Sequence, residues 1–87
     1  MYKLVFTAKS KKELNKLSKE DAKKILAKIN QLSYPFNTNL NIAKLAGSKR
    51  SYRLKAGKLR AIFELDHQTE FIWITKIGFR KDIYRFS

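Results

Sequence analysis

The 87-residue chain contains no cysteine, which excludes disulfides and thiolate metal sites and fits a reducing compartment. Histidine occurs once, as His67, within Asp66-His67-Gln68-Thr69, a stretch that reads as a turn. Metal centres recruit several ligands, so His67 is read as a solvated turn residue and no metal site is expected. The same shortage removes serine–histidine and cysteine–histidine nucleophile pairs. The three glycines, Gly47, Gly57 and Gly78, stand apart at places that want turns, so there is no glycine-rich phosphate loop and no cofactor is expected. No apolar run approaches the roughly 18 residues of a membrane span. Met1-Tyr2-Lys3-Leu4 leads straight into a strand pattern, which gives the expectation of a cytoplasmic protein without a signal peptide.

Acidic residues are scarce. Twenty lysines and arginines face seven aspartates and glutamates, a formal charge of +13. A field of this size attracts polyanions and offers counterion-release affinity for a phosphate backbone, although a membrane surface or an acidic protein would also answer it. The distribution narrows the choice. All five arginines (Arg50, Arg53, Arg60, Arg80, Arg85) fall within the last 38 residues, whereas Lys9 to Lys28 carries eight lysines and no arginine. Lysine suits a solvated helical face, while arginine supplies the planar fork that grips phosphate. The functional surface is therefore expected in the C-terminal half.

One domain over residues 1–87 is expected from the length. Residues 2–7 alternate as a strand, with Leu4 and Phe6 on one face. Ser10 and Glu13 have capping-box spacing at the start of a short helix carrying Leu14 and Leu17. Ser18 and Asp21 repeat the arrangement ahead of a second helix, with Ala22, Ile25, Leu26, Ile29 and Leu32 along one face and lysines opposite. Pro35 closes the helical region, and residues 36–48 read as a polar connection. Tyr52 to Ala56 and Leu59 to Leu65 then alternate around Gly57 as a hairpin. Phe71 to Ile77 is an almost continuous apolar strand, which suggests burial on both faces, and a short tail follows from Phe79. The fold class is α+β, in the order β-α-α-β-β-β, with a two-helix hairpin on one face of a mostly antiparallel four-stranded sheet.

If Tyr52, Leu54, Leu59, Ala61 and Phe63 point toward the helices, Arg53, Lys55 and Arg60 point to the uncovered face. Burying them would be costly, so that face is expected to be wet or occupied by anions. Glu64 shares it and reads as an ion-pair partner of Arg60, with a general-base role as the alternative. Phe71 and Trp73 read as core or core edge. In the tail, Phe79, Tyr84 and Phe86 interleave with Arg80, Lys81 and Arg85, a mixture suited to stacked bases and held phosphates.

Leu45-Ala46-Gly47-Ser48, Tyr52-Arg53-Leu54-Lys55 and Gly57-Lys58-Leu59-Arg60-Ala61-Ile62-Phe63-Glu64 closely resemble the central hairpin of RelE-type toxins. Ile77-Gly78-Phe79-Arg80-Lys81-Asp82-Ile83-Tyr84-Arg85 resembles their C-terminal signature, and the likeness extends over nearly the whole chain. The RelE/ParE resemblance implies the toxin of a type II toxin–antitoxin system, an endoribonuclease that enters the ribosomal A site and cuts messenger RNA without metal or cofactor. It implies that Arg60 supports the scissile phosphate and that Arg80 stabilises charge in the transition state. Tyr84 would help activate the 2′-hydroxyl, while Arg53 and Lys55 neutralise the phosphate and supply protons. Phe79, Lys81 and Arg85 complete the expected RNA-binding set. Many relatives carry histidine or lysine where this chain has Phe79, and a phenyl ring cannot move protons. The alternatives are therefore a weakened member that only binds RNA or antitoxin, and a ParE-like inhibitor of DNA gyrase. The expected partners are an acidic antitoxin, the ribosome and messenger RNA; no membrane is expected, and the free protein is expected to be a monomer.

Overall fold

The computed structural model describes residues 1–85. The elements are β1 (Lys3–Phe6), α1 (Ala8–Lys16), α2 (Lys19–Ile29), β2 (Asn41–Lys44), β3 (Ser51–Ala56), β4 (Leu59–Asp66), β5 (Phe71–Phe79) and α3 (Arg80–Arg85). The five strands form one sheet in the order β1-β5-β4-β3-β2; β1 runs parallel to β5 and the remaining pairs are antiparallel. The α+β class and the helical pair therefore stand, and the sheet has one strand more than the alternation shows. That strand, β2, pairs with β3 through Ile42 opposite Leu54. Its four residues hold one large apolar side chain, too few to display a period, so its strand character comes from pairing.

Alternation places Leu54, Leu59, Ala61, Phe63, Leu65, Ile72, Ile74 and Ile77 in one buried cluster with Ile25, Ile29 and Leu32. Helices α1 and α2 pack on this face, α1 against β5 and α2 against β3 and β4. Ser18 caps α2 as its spacing predicts, accepting from the Asp21 amide at 3.1 Å. Helix α1 starts earlier than the Ser10–Glu13 spacing suggests. Its cap is Thr7, whose Oγ1 accepts from the Ser10 amide at 3.1 Å and donates to the Ile74 carbonyl at 3.2 Å. Ser10 is buried, and Glu13 turns to the sheet instead, where its Oε1 accepts from the Ile77 amide at 3.0 Å. The cause is geometric: β1 ends at Phe6, leaving the amide of Ile77 beyond its reach, and Glu13 takes the place of the missing strand.

Gly57 opens the two-residue connection between β3 and β4 with φ +60°, as a tight hairpin of type II′ requires at that position. The β4–β5 ladder slips one residue at Thr75, and its turn is held by the amides of Gln68 and Thr69 donating to Asp66 Oδ1 at 3.0 and 3.3 Å. The C-terminal stretch read as a tail is instead the end of β5 followed by α3. Six residues are too few to make a stable helix alone. Ile83 holds it: the side chain is buried, and its Cδ1 would lie 3.7 Å from a β-carbon placed on Gly78. Ile83 thus packs over Gly78 at the end of the outer sheet face. Among the described residues, no helix is long and apolar enough to cross a membrane.

Candidate nucleic-acid interface

Strand register places the expected cations together. On the outer face Gly78, Arg60, Lys55 and Asn41 form one row across β5, β4, β3 and β2. The adjacent row is Lys76, Ile62, Arg53 and Ala43. Directly opposed residues in antiparallel strands lie about 4.5–5.5 Å apart at Cα, so Arg53, Lys55 and Arg60 occupy one small area. Arg80 joins them at the hairpin end, because its backbone amide donates to the Lys58 carbonyl at 2.9 Å. Lys58, Phe79, Arg80 and Lys81 line a shallow pocket there. Lys76 belongs to the same area and was hidden inside the apolar run of β5; the slip at Thr75 brings it opposite Ile62.

The cations differ in environment. Lys55, Arg80 and Lys81 are exposed, and Arg53 is half-buried. Arg60, expected on a wet face, retains only 4% of its exposure. Its Nη1 donates back into its own hairpin, to the carbonyls of Gly57 at 2.6 Å and Leu59 at 2.8 Å. Alternation predicts the face correctly; the burial accompanies the guanidinium's return onto its own hairpin, with α3 packed nearby against β5 and β4. The anticipated Arg60–Glu64 ion pair is not among those formed by the described residues, which are Met1–Glu70, Glu20–Lys24 and Arg50–Asp66. Among the described residues, the Arg60 Nε is buried without a hydrogen-bond partner. A charge removed from water and bonded, among those residues, to two neutral carbonyls favours an anion beside it.

Phe79 lines the pocket beside Arg80 but lies off the Arg60–Lys55 row. It pairs with Leu59 on the helix side of the sheet and packs against the core cluster, so its ring does not join the Arg60–Lys55 row. Tyr84 and Arg85 belong to α3, but their side chains, like Phe86, lie outside the described residues. Among the described residues, no group of three or more histidine, cysteine, aspartate or glutamate side chains is placed to hold a metal ion.

The far end of the outer face is different in kind. Phe71 and Trp73 project there, with Glu64 directly opposite Trp73 and Asp66 opposite Phe71. Hydrogen bonds, the Thr69 amide foremost, hold the Asp66 carboxyl below its usual range, and Arg50 adds to the effect. Nearby, Tyr2 Oη lies 2.6 Å from His67 Nδ1. Desolvation, then the charges of Glu70 and other neighbours, push the Tyr2 phenol up, so its hydroxyl keeps its proton at neutral pH.

No protein-family model matches the chain, and no curated protein matches it in sequence. Solved structures do match. The RelB–RelE antitoxin–toxin complex from Methanococcus jannaschii aligns with a TM-score of 0.78 at 24% identity, covering 94% of this chain and 96% of that one. The archaeal RelE–RelB complex from Pyrococcus horikoshii gives 0.75 at 25% identity, over 91% and 94% of the two chains. The isolated E. coli RelE toxin gives 0.74 at 21% identity, over 98% and 93%. The superpositions cover more than nine-tenths of each chain, and the protein has the RelE-like toxin fold.

Proposed function

We propose that the chain is a RelE/ParE-superfamily toxin of a type II toxin–antitoxin system, a cytoplasmic endoribonuclease that cuts messenger RNA in the ribosomal A site. The observation that carries the reading is the buried Arg60 charge, without a carboxylate partner among the described residues, beside Lys55 and below Arg80. A phosphodiester supplies the missing anion.

RNA carries its own nucleophile. Cleavage requires the 2′-oxygen to lose a proton and attack phosphorus while the bond to the 5′-oxygen breaks, giving a 2′,3′-cyclic phosphate and a 5′-hydroxyl end. Negative charge gathers on the phosphoryl oxygens in between. Arg60 contributes a positive charge fixed by its two carbonyl contacts, and Arg80 supplies mobile donors from the start of α3. The Lys55 ammonium, exposed and rotatable, can deliver the proton taken by the leaving oxygen. The Tyr84 phenol, four residues after Arg80 in the sequence, is assigned the 2′-hydroxyl proton as the family resemblance implies. Phe79, packed on the core side, contributes no proton transfer and anchors the end of β5.

A charge of +13 exposed in this way calls for a quenching partner, and an acidic antitoxin segment supplies one. The solved RelB–RelE complexes support that assignment. Arg80→Ala tests the function. The variant is expected to keep its fold and lose growth inhibition, with messenger RNA left intact after induction. A folded, equally toxic variant contradicts the proposal, and loss of gyrase supercoiling with intact messenger RNA on adding wild-type protein would replace it with gyrase inhibition.

A further inference from the structure

Trp73 is the only tryptophan in the chain, and it is not part of the core. Its neighbours Ile72 and Ile74 are fully buried under the helices, whereas Trp73 and Phe71 stand half-buried on the opposite face of β5. Their rings meet edge to face, with centroids 5.8 Å apart and planes at 74°. Val5 lies opposite Trp73 on β1 and also stays outside the core cluster. Helices α1 and α2 pack on the other side of the sheet, and Ile83 of α3 covers Gly78, at the far end of β5. Two large rings on a sheet face whose other end is cationic make a pattern suited to single-stranded RNA: cations hold the backbone and aromatic rings receive bases.

The spacing is commensurate with one strand. Glu64, opposite Trp73, lies four residues along β4 from Arg60, about 13 Å at roughly 3.3 Å per residue. A few nucleotides bridge that distance. Asp66 is paired with Arg50 and Lys3 stands opposite Phe71, but Glu64 forms no ion pair among the described residues, so the position beside Trp73 disfavours a phosphate and suits a base. A carboxylate beside the ring also accepts from an exocyclic amine or ring N–H.

We infer that Trp73, supported by Phe71 and Val5, is a base-stacking platform for a nucleobase of the same RNA strand whose phosphate sits at the Lys55–Arg60 row, with Glu64 accepting from the base edge. The inference rests on the RNA reading of the cationic face and adds to it a preference for adenine over uracil at that position. Adenine offers the larger stacking surface, and its amine presents Glu64 with two N–H donors where the uracil edge presents one.

Intrinsic fluorescence reads the platform directly, because Trp73 has no competitor in the chain. The full-length protein is titrated with 2′-O-methyl hexa-adenylate and hexa-uridylate, which cannot be cleaved. Fluorescein-labelled oligonucleotides report binding by anisotropy, and unlabelled ones report Trp73 emission. Emission is expected to change with the same midpoint as anisotropy, with hexa-adenylate the tighter ligand. Trp73→Ala should weaken hexa-adenylate binding at least about fivefold, the loss of one stacked base. Trp73→Phe should recover most of it, and Glu64→Gln should narrow the adenine–uracil difference. Unchanged Trp73 emission as anisotropy rises, or a folded Trp73→Ala that binds hexa-adenylate as wild type, overturns the platform and leaves the cationic face standing. No anisotropy change with either oligonucleotide removes both readings. If Trp73→Ala fails to fold, wild-type emission and Trp73→Leu, expected to lose the stacked base as Trp73→Ala does, decide the matter.

Discussion

The two ends of the outer sheet face share strands and alternation, yet they carry opposite chemistry. Near the β3–β4 hairpin the face presents Arg53, Lys55, Arg60 and Lys76, with Arg80 at its rim. Near the β4–β5 turn it presents Glu64, Asp66, Phe71 and Trp73. Alternation determines which side a residue faces, while position along the strand determines which chemistry it joins. A net charge spread evenly would attract RNA without orienting it; a cationic end opposed by an acidic, aromatic end gives the bound strand a direction.

The largest effect is expected at the centre of the cationic end. Arg60→Met fills a similar volume without burying a charge, so stability should hold or rise while cleavage on programmed ribosomes falls about 10²–10³-fold. Thermal denaturation and cleavage assays measured on one preparation check this; parallel losses of stability and activity would reduce Arg60 to a structural residue. A smaller effect should separate the two ends. Lys55→Ala and Lys3→Ala remove the same charge from exposed positions on the same face. At about 0.15 M salt, Lys55→Ala is expected to weaken RNA binding about tenfold and Lys3→Ala by less than about twofold, since surface charges more than a Debye length of about 8 Å away are largely screened. Equal effects would mean that the protein senses net charge alone.

The smallest effect belongs to the acidic end. The Asp66 carboxyl is held below its ordinary range by the Thr69 amide, the next hydrogen bonds of its turn and Arg50. A depressed folded-state pKa contributes stability that is present above the unfolded value of about 3.9 and is lost as pH falls through the folded value. Acid titration of the melting temperature should therefore show a loss beginning below about pH 4, reduced in Asp66→Asn, with the two proteins running parallel near neutrality. A difference between them that stays constant down to pH 2 would contradict the linkage.

Much of this arrangement was legible in the residues. The β3–β4 hairpin follows from strict alternation around Gly57, and α2 from Ser18 and the spacing of Ile25 and Ile29, because those signals are local. What stayed hidden depends on distant partners. Strand β2 displays one buried-facing apolar residue, Ile42, and is defined by pairing with β3. The start of α1 moved to Thr7 because the carbonyl of Ile74, far along the chain, fixes that side chain. Helix α3 is held where Ile83 packs over Gly78. The burial of Arg60 accompanies the return of its guanidinium onto the Gly57 and Leu59 carbonyls, which alternation does not display. Trp73 reads as core or core edge because an unbroken apolar run has no period to separate its faces, and Phe79 reads as the start of a tail because the end of β5 cannot be read past Gly78.

Primer extension on messenger RNA after brief induction tests the central claim most directly. The account predicts new 5′ ends within codons for the wild-type protein, with 2′,3′-cyclic phosphate on the upstream fragments, and none for Arg80→Ala or Arg60→Met. Unbroken messenger RNA in cells arrested by the wild-type protein would contradict it.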